Sequence, residues 1–382
     1  MTSPYRQLSY EFKGELIRKP WVTENQFSEP KKVIVIDDTF PAAQYMSLAS
    51  QGVSFVWNGD FQNARQLLQA VQRRIKKHTP LSDQTDPQTM AKEFYRHRQH
   101  QAYKAQLLAR LLIPVEADLS IRLPRAPDLR PAIAEALSHP PAEGFLISLR
   151  ELQGFIGAHE WRKKGVPIAA LEGRKIHAHY GVFSPVRGEY LDLVASAPLP
   201  EPTRTAFDIG TGTGVLSALL AHRGVPKIVA TEMDDRALEC ARFNLQNLGF
   251  DQQVVLQKTN LFPDGQADLI LCNPPWLPAK PTSAIERAVY DEDSGMLRGF
   301  LKGVGAHLTP NGEAWLIISD LAEHLGLRAA NELTTWIAQS GLEVIECLQT
   351  QPRHAKATDE EDPLFVARSK EVTRLWRLRR QR

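Results

Sequence analysis

Phe207-Asp208-Ile209-Gly210-Thr211-Gly212-Thr213-Gly214 carries an apolar, strand-like segment straight into a turn with glycine at every second position. Glycine, lacking a Cβ, accepts a tight left-handed turn and lets backbone N–H groups meet a ligand directly. The run Val215-Leu216-Ser217-Ala218-Leu219-Leu220-Ala221 predicts a helix ending near Gly224. Lys227-Ile228-Val229-Ala230-Thr231 predicts a second strand that closes on Glu232. A carboxylate about twenty residues past the glycines of such a strand-turn-helix-strand unit can accept the protons of both ribose hydroxyls. Dinucleotides and S-adenosylmethionine both use this plan. The dinucleotide fingerprint puts its third glycine where this chain has Val215, and Asp208 adds a carboxylate suited to a cationic or amino-bearing ligand. The spacing favours S-adenosylmethionine.

About sixty residues further on lies Asp268-Leu269-Ile270-Leu271-Cys272-Asn273-Pro274-Pro275-Trp276. Leu269 to Leu271 predict a buried strand, stopped where proline removes the backbone donor. Asn273 is thereby expected at the carboxyl end of a parallel strand, where open α/β sheets bind ligands. An amide or exocyclic amine nitrogen is a poor nucleophile because its lone pair is delocalised. The Asn273 side-chain oxygen and the Pro274 carbonyl can accept its two protons, orienting the nitrogen and favouring the charge that builds on it. Pro275 stiffens the segment, and Trp276 offers a flat face to a planar substrate. The expected catalytic set is Asn273, Pro274, Pro275 and Trp276, with no metal.

Together the two segments resemble the class I S-adenosylmethionine-dependent methyltransferases over about residues 206–350. The resemblance implies a doubly wound Rossmann-like sheet. It also implies that Asp208, Gly210 and Gly212 line the methionine end and Glu232 the ribose, with Gly214 and Met233 also in the cofactor-binding set, Met233 next to Glu232. Many relatives place an acidic residue near Asn260 against the adenine; this chain has Thr259-Asn260-Leu261-Phe262, so Asn260 and Leu261 are the expected adenine contacts, with Asn273 also beside the cofactor. Asn-Pro-Pro-aromatic segments occur in relatives that methylate adenine N6, guanine N2 or glutamine side-chain nitrogen. Gly181-Val182-Phe183-Ser184 resembles two-domain rRNA guanine-N2 methyltransferases. Ser184-Pro185-Val186-Arg187-Gly188-Glu189-Tyr190 and Gly295-Met296-Leu297 resemble release-factor glutamine methyltransferases instead. An RNA base is the favoured acceptor. A protein glutamine, a small-molecule amine and a scaffold that has lost catalysis are the alternatives.

The rest of the chain sets bounds. At 382 residues and 43% hydrophobic content, two domains with real cores are expected. A net charge of +2 is too small to indicate nucleic acid by itself. Cys240, Cys272 and Cys347 form no paired motif, which suggests a reducing compartment and no zinc site. With no apolar stretch behind Met1-Thr2-Ser3 and none long enough to span a bilayer, the expected location is cytoplasmic, away from membranes. Residues 1–171 are expected to form a second α/β domain without a cofactor motif, serving substrate recognition, and 172–382 the catalytic domain. Expected N-terminal strands are Val33–Asp37, Val53–Trp57, Leu119–Arg122 and Phe145–Ser148, with a long helix over 90–112. The sheet of 172–382 is expected to end in an antiparallel edge strand from 344–350 or 364–378, and alternating arginines near Arg374–Arg382 suggest an edge strand with arginines outward. His177 and His179, and Arg187 with Glu189, are weaker candidates for a lid over the site. Arg96, His97, Arg98, His100 and Lys104 read as a solvated helix face in preference to a phosphate track.

Overall fold

The computed structural model describes residues 5–25, 27–75, 86–186, 188–283, 285–352 and 359–381. The chain divides into two compact units, one of Met1–His78 and Arg96–Glu160, the other of Thr79–Tyr95 and Trp161–Arg382. The division after Glu160 precedes the 171/172 boundary expected from sequence, and the start of the long helix Pro87–Leu108 belongs with the second unit.

The first unit opens with a hairpin that the sequence pattern did not announce. Strands β1 (Arg6–Phe12) and β2 (Glu15–Val22) pair antiparallel across Lys13-Gly14. Both loop residues have positive φ, 52° and 82°, the turn that matches strand twist. Strands β3 (Lys32–Ile36), β4 (Val53–Trp57), β5 (Leu111–Val115) and β6 (Phe145–Ser148) complete a mixed sheet of order β1-β2-β6-β5-β4-β3. The expected strand at Leu119–Arg122 is instead a turn: Leu119 has φ +64°, and Asp118 accepts from the Ser120 N–H at 3.0 Å. The strand lies earlier, at β5, where the expected helix would have run on. Apolar residues from Leu107 to Ile113 suit either structure, and Pro114 decides against further helix.

The second unit begins with the short pair β7 (Val166–Pro167) and β8 (Lys175–Ile176). Its main sheet contains β9 (Thr205–Ile209), β10 (Lys227–Glu232), β11 (Val254–Lys258), β12 (Ala267–Cys272), β13 (Leu308–Ser319), β14 (Leu342–Thr350) and β15 (Thr373–Arg380). The order is β11-β10-β9-β12-β13-β15-β14, parallel through β13, with β15 antiparallel to both neighbours. The strand order reverses between β9 and β12, so the crevice above these two carboxyl ends is the switch point where such sheets bind ligands. Two apolar layers cover the sheet. One is built from the helices Glu189–Ser196 and Val215–His222, the other from Gly295–His307 and Glu332–Gln339.

The edge strand is β14, which runs in the same direction as β13, while the antiparallel strand is the inner β15, so neither expected alternative supplies an antiparallel edge strand. The C-terminal arginines depart from expectation, because β15 is an inner strand. Arg377 is 8% exposed and donates to Glu313 at 2.9 and 2.8 Å and to Glu346 at 2.6 Å. Alternating charge reads as solvated only when no partner waits on the neighbouring strands, and here both neighbours supply one. Arg187 and Arg382 lie outside the described residues.

Candidate active site

Register brings the two sequence segments together. Cys272 of β12 pairs with Ile209 of β9, about 5 Å apart as neighbouring strands are, so Asn273 and Gly210 are the next residues to leave adjacent strand ends. The glycine turn is held from below: the Gly210 and Thr211 N–H groups both donate to the Thr231 carbonyl at 2.9 Å. Gly210, Gly212 and Gly214 all have positive φ, at 73°, 54° and 79°. A Cβ on Gly210 would stand 2.6 Å from Met296 Cε, whereas one on Gly212 would meet open space. Hence the left-handed backbone requires glycine at both positions, with the movable end of Met296 close to Gly210 and open space at Gly212.

Asp208 is fully buried. Its Oδ2 accepts from Thr211 Oγ1 at 2.6 Å, Ser217 Oγ at 2.6 Å and Ser217 N–H at 3.1 Å, which ties the turn to the first turn of the following helix. Among the described residues its Oδ1 has no hydrogen-bond partner, and Glu189 Oε1, in a residue 5% exposed, has none either. Burial raises the Asp208 carboxyl above its ordinary value, against three hydrogen bonds that lower it and the nearby Glu232 charge that adds to the rise. Burial raises the Tyr190 phenol, and the Asp208 and Glu189 charges add to the rise. Two buried acceptors without donors suit a ligand ammonium.

Glu232 is half-buried at the end of β10. Its Oε2 accepts from the Gly212 N–H at 3.2 Å, and its Oε1 from the Met233 and Asp234 N–H groups at 2.7 and 3.1 Å. The backbone thus aims the carboxylate while leaving one lone pair, on Oε2, for a ribose hydroxyl. Met233 is 54% exposed beside it. Asn260 is exposed and Leu261 half-buried; Leu261 has φ +61°, and its carbonyl accepts from Thr231 Oγ1 at 2.6 Å. Gly299 and Gly303 let the helix Gly295–His307 receive Leu261 and Phe262, since a Cβ on either would stand 2.8 or 2.5 Å from those side chains.

Asn273 is half-buried, Pro274 buried, and Pro275 and Trp276 half-buried. The Asn273 oxygen, expected to face only an acceptor amine, already accepts from the Trp276 indole N–H at 2.9 Å. Trp276 is therefore more than an open stacking face.

Sequence reasoning missed several supports. Asn244, fully buried, donates to the Thr213 carbonyl at 3.0 Å and holds His177 through its N–H at 2.8 Å and its carbonyl at 3.2 Å. His177 is thus a backbone anchor for the glycine turn, with its ring against the Arg162 carbonyl at 2.6 Å. A lone asparagine on the apolar face of Asp235–Leu248 was the available signal. Asp291 accepts from the Met296 and Leu297 N–H groups at 3.0 and 3.1 Å, capping the helix that lays Met296 on Gly210. Arg328, 5% exposed, reaches the Trp276 carbonyl at 3.4 Å and Ser294 Oγ at 3.3 Å, and nothing in the sequence marks it. Among the described residues, no group of three or more His, Cys, Asp and Glu could hold a metal, and no helix is long and apolar enough to cross a membrane.

A family model for the methyltransferase small domain matches residues 173–339. The tRNA1(Val) (adenine(37)-N6)-methyltransferase of Shewanella baltica is 30% identical over 176 residues, 44% of this chain and 68% of that protein. The chain belongs to the class I methyltransferases of this family. The family and its fold imply use of S-adenosylmethionine, and the glycine turn, the aimed Glu232 and the two unpartnered acceptors fit that molecule. The methyltransferase is also 30% identical to the enzyme of the same name from Cytophaga hutchinsonii, over 36% of this chain and 61% of that one. It is 29% identical to the release factor glutamine methyltransferase of Rhodopirellula baltica, over 42% and 55%. It thus spans about three fifths of the length of the first curated relatives it matches.

Proposed function

We propose that this methyltransferase transfers a methyl group from S-adenosylmethionine to a planar amino group of a base in structured RNA. The observation that carries the reading is the juxtaposition of Asn273 with Gly210 at neighbouring strand ends. S-adenosylmethionine supplies a methyl group activated by its sulfonium. Asp208 and Glu189 take the ammonium of its methionine end, the Gly210–Gly214 turn admits its backbone, and Glu232 accepts from its ribose. Met233 lies beside the ribose, and Asn260 and Leu261 border the adenine. The second lone pair of the Asn273 oxygen and the Pro274 carbonyl accept the protons of the incoming amine, so its nitrogen faces the methyl group in line. Trp276 packs along the flat acceptor. Pro275 restricts the backbone of the segment.

Supporting an RNA base are relatives named for adenine N6 in tRNA. Relatives named for release factor glutamine favour a protein acceptor as the second reading. The test is to incubate the protein with methyl-labelled S-adenosylmethionine and extract from cells lacking the gene, then divide the sample between nuclease and protease. Label released by nuclease supports the RNA reading, and nucleoside analysis names the atom. Label released by protease replaces it with the glutamine reading. Label in neither polymer defeats both.

A further inference from the structure

We propose that Trp276 is a positioning residue whose indole N–H fixes which way round the Asn273 amide is held; the inference rests on the amino-methylation reading above. A side-chain amide presents an oxygen on one side and an NH2 on the other, and half a turn exchanges them. With the NH2 toward the acceptor, two donors would face each other. The indole nitrogen is a donor only, so across 2.9 Å it tolerates the Asn273 oxygen and repels the NH2. One lone pair of that oxygen is taken by the indole, and the other is left for one amine proton.

The donor can do this only if the ring is itself held. Trp276 packs against both apolar layers that cover the main sheet. Its carbonyl faces Arg328 Nη2 at 3.4 Å, and the next residue is pinned from Leu277 N–H to the Val289 carbonyl at 3.1 Å. The same Arg328 nitrogen reaches Ser294 Oγ at 3.3 Å, in the turn that opens the Gly295–His307 helix. Indole, amide and cofactor-side helix thus form one braced assembly. A phenylalanine or tyrosine ring would keep the flat face and lose this donor, since neither carries an N–H at that place.

Two replacements isolate the donor. Trp276→Phe removes it with some volume, and 3-benzothienylalanine at 276 removes it with the ring outline kept, since sulfur stands where the N–H was. With labelled S-adenosylmethionine and small RNA from cells lacking the gene, both proteins should show kcat reduced about 10-fold, the loss expected from one ordering hydrogen bond. KM for RNA and the dissociation constant for S-adenosylmethionine should stay within about 2-fold. A change in KM alone would make Trp276 a stacking face only and overturn the proposal, as would unchanged kcat in the benzothienyl protein. The bond is read without any acceptor by nitrogen-15 labelling of tryptophan. The indole resonance that disappears in Trp276→Phe should shift in Asn273→Ala, and its proton should exchange faster with water. An unmoved resonance rejects the bond. Should wild-type protein methylate nothing while that resonance does move, the bond stands, and the amino-methylation reading and the positioning role fall together.

Discussion

The two units build mixed α/β sheets from similar material, yet they finish a buried carboxylate in opposite ways. In the first unit Glu151, 5% exposed, uses both oxygens. Oε1 accepts from Thr23 Oγ1 at 2.9 Å, Glu24 N–H at 2.8 Å and Asn25 Nδ2 at 2.9 Å, and Oε2 from Ser148 Oγ at 2.7 Å. In the second unit Asp208, wholly buried, fills Oδ2 with three donors and leaves Oδ1 with none among the described residues. An unpaired buried acceptor costs about 1–3 kcal/mol. A fold accepts that cost at a place where a ligand removes it, and the glycine turn beside Asp208 is such a place. The first unit's network closes on itself and does the work of a brace.

The largest break in this comparison is expected from Asn273→Ala. Turnover should fall by about 10²–10³-fold, as when an aimed polar group is lost from a site of charge development. Affinity for S-adenosylmethionine, measured by titration calorimetry, should hold within about 3-fold. A parallel loss of both would dissolve the division between cofactor and acceptor halves.

Next in size is Glu151→Leu, which strands four donors. It should lower unfolding free energy by about 3 kcal/mol in urea melts without changing cofactor affinity. A weakened cofactor affinity in the folded variant would mean that the closed network serves binding after all.

Gly210→Ala comes third. Its φ of +73° and the 2.6 Å approach to Met296 Cε combine strain with a clash, costing about 1–2 kcal/mol for the backbone alone. Adding Met296→Ala should restore part of the lost cofactor affinity. Gly212→Ala, which meets open space, should gain nothing from that second change.

The smallest effect concerns pH. Burial raises the Glu151 carboxyl above its ordinary value despite its four donors. The folded protein then keeps that proton to higher pH than the unfolded chain does. The contribution is full below the unfolded carboxyl pKa of about 4.3, and it is lost as pH rises through the raised folded value. Glu151→Gln can keep its oxygen toward the three donors and turn its NH2 to Ser148 Oγ. It should change stability at neutral pH by less than about 1 kcal/mol and flatten the slope of urea midpoints against pH above 4. An equally steep slope in the variant would assign it to another group.

Much of the second unit was legible because its signals are local. Glycine every second residue, a strand closing on Glu232, and prolines directly after a β-branched and leucine-rich strand each act through a few neighbouring φ/ψ choices. The first unit was harder. Its opening hairpin turns on Lys13-Gly14, with a lysine forced to positive φ. Its β5 hides in an apolar run that suits a helix equally well until Pro114.

By itself, the sequence determined that a glycine turn and an Asn-Pro-Pro-Trp segment would each end a parallel strand, because steric limits on glycine and proline act within a few residues. Only the tertiary structure decided that β12 lies beside β9 and sets Asn273 next to Gly210, and that β15 runs inside the sheet and buries Arg377 between Glu313 and Glu346. It alone decided that the Trp276 N–H would meet the Asn273 oxygen. Strand order, pairing register and the rotamer of a half-buried ring depend on packing between residues far apart in the chain, and no local pattern encodes them singly.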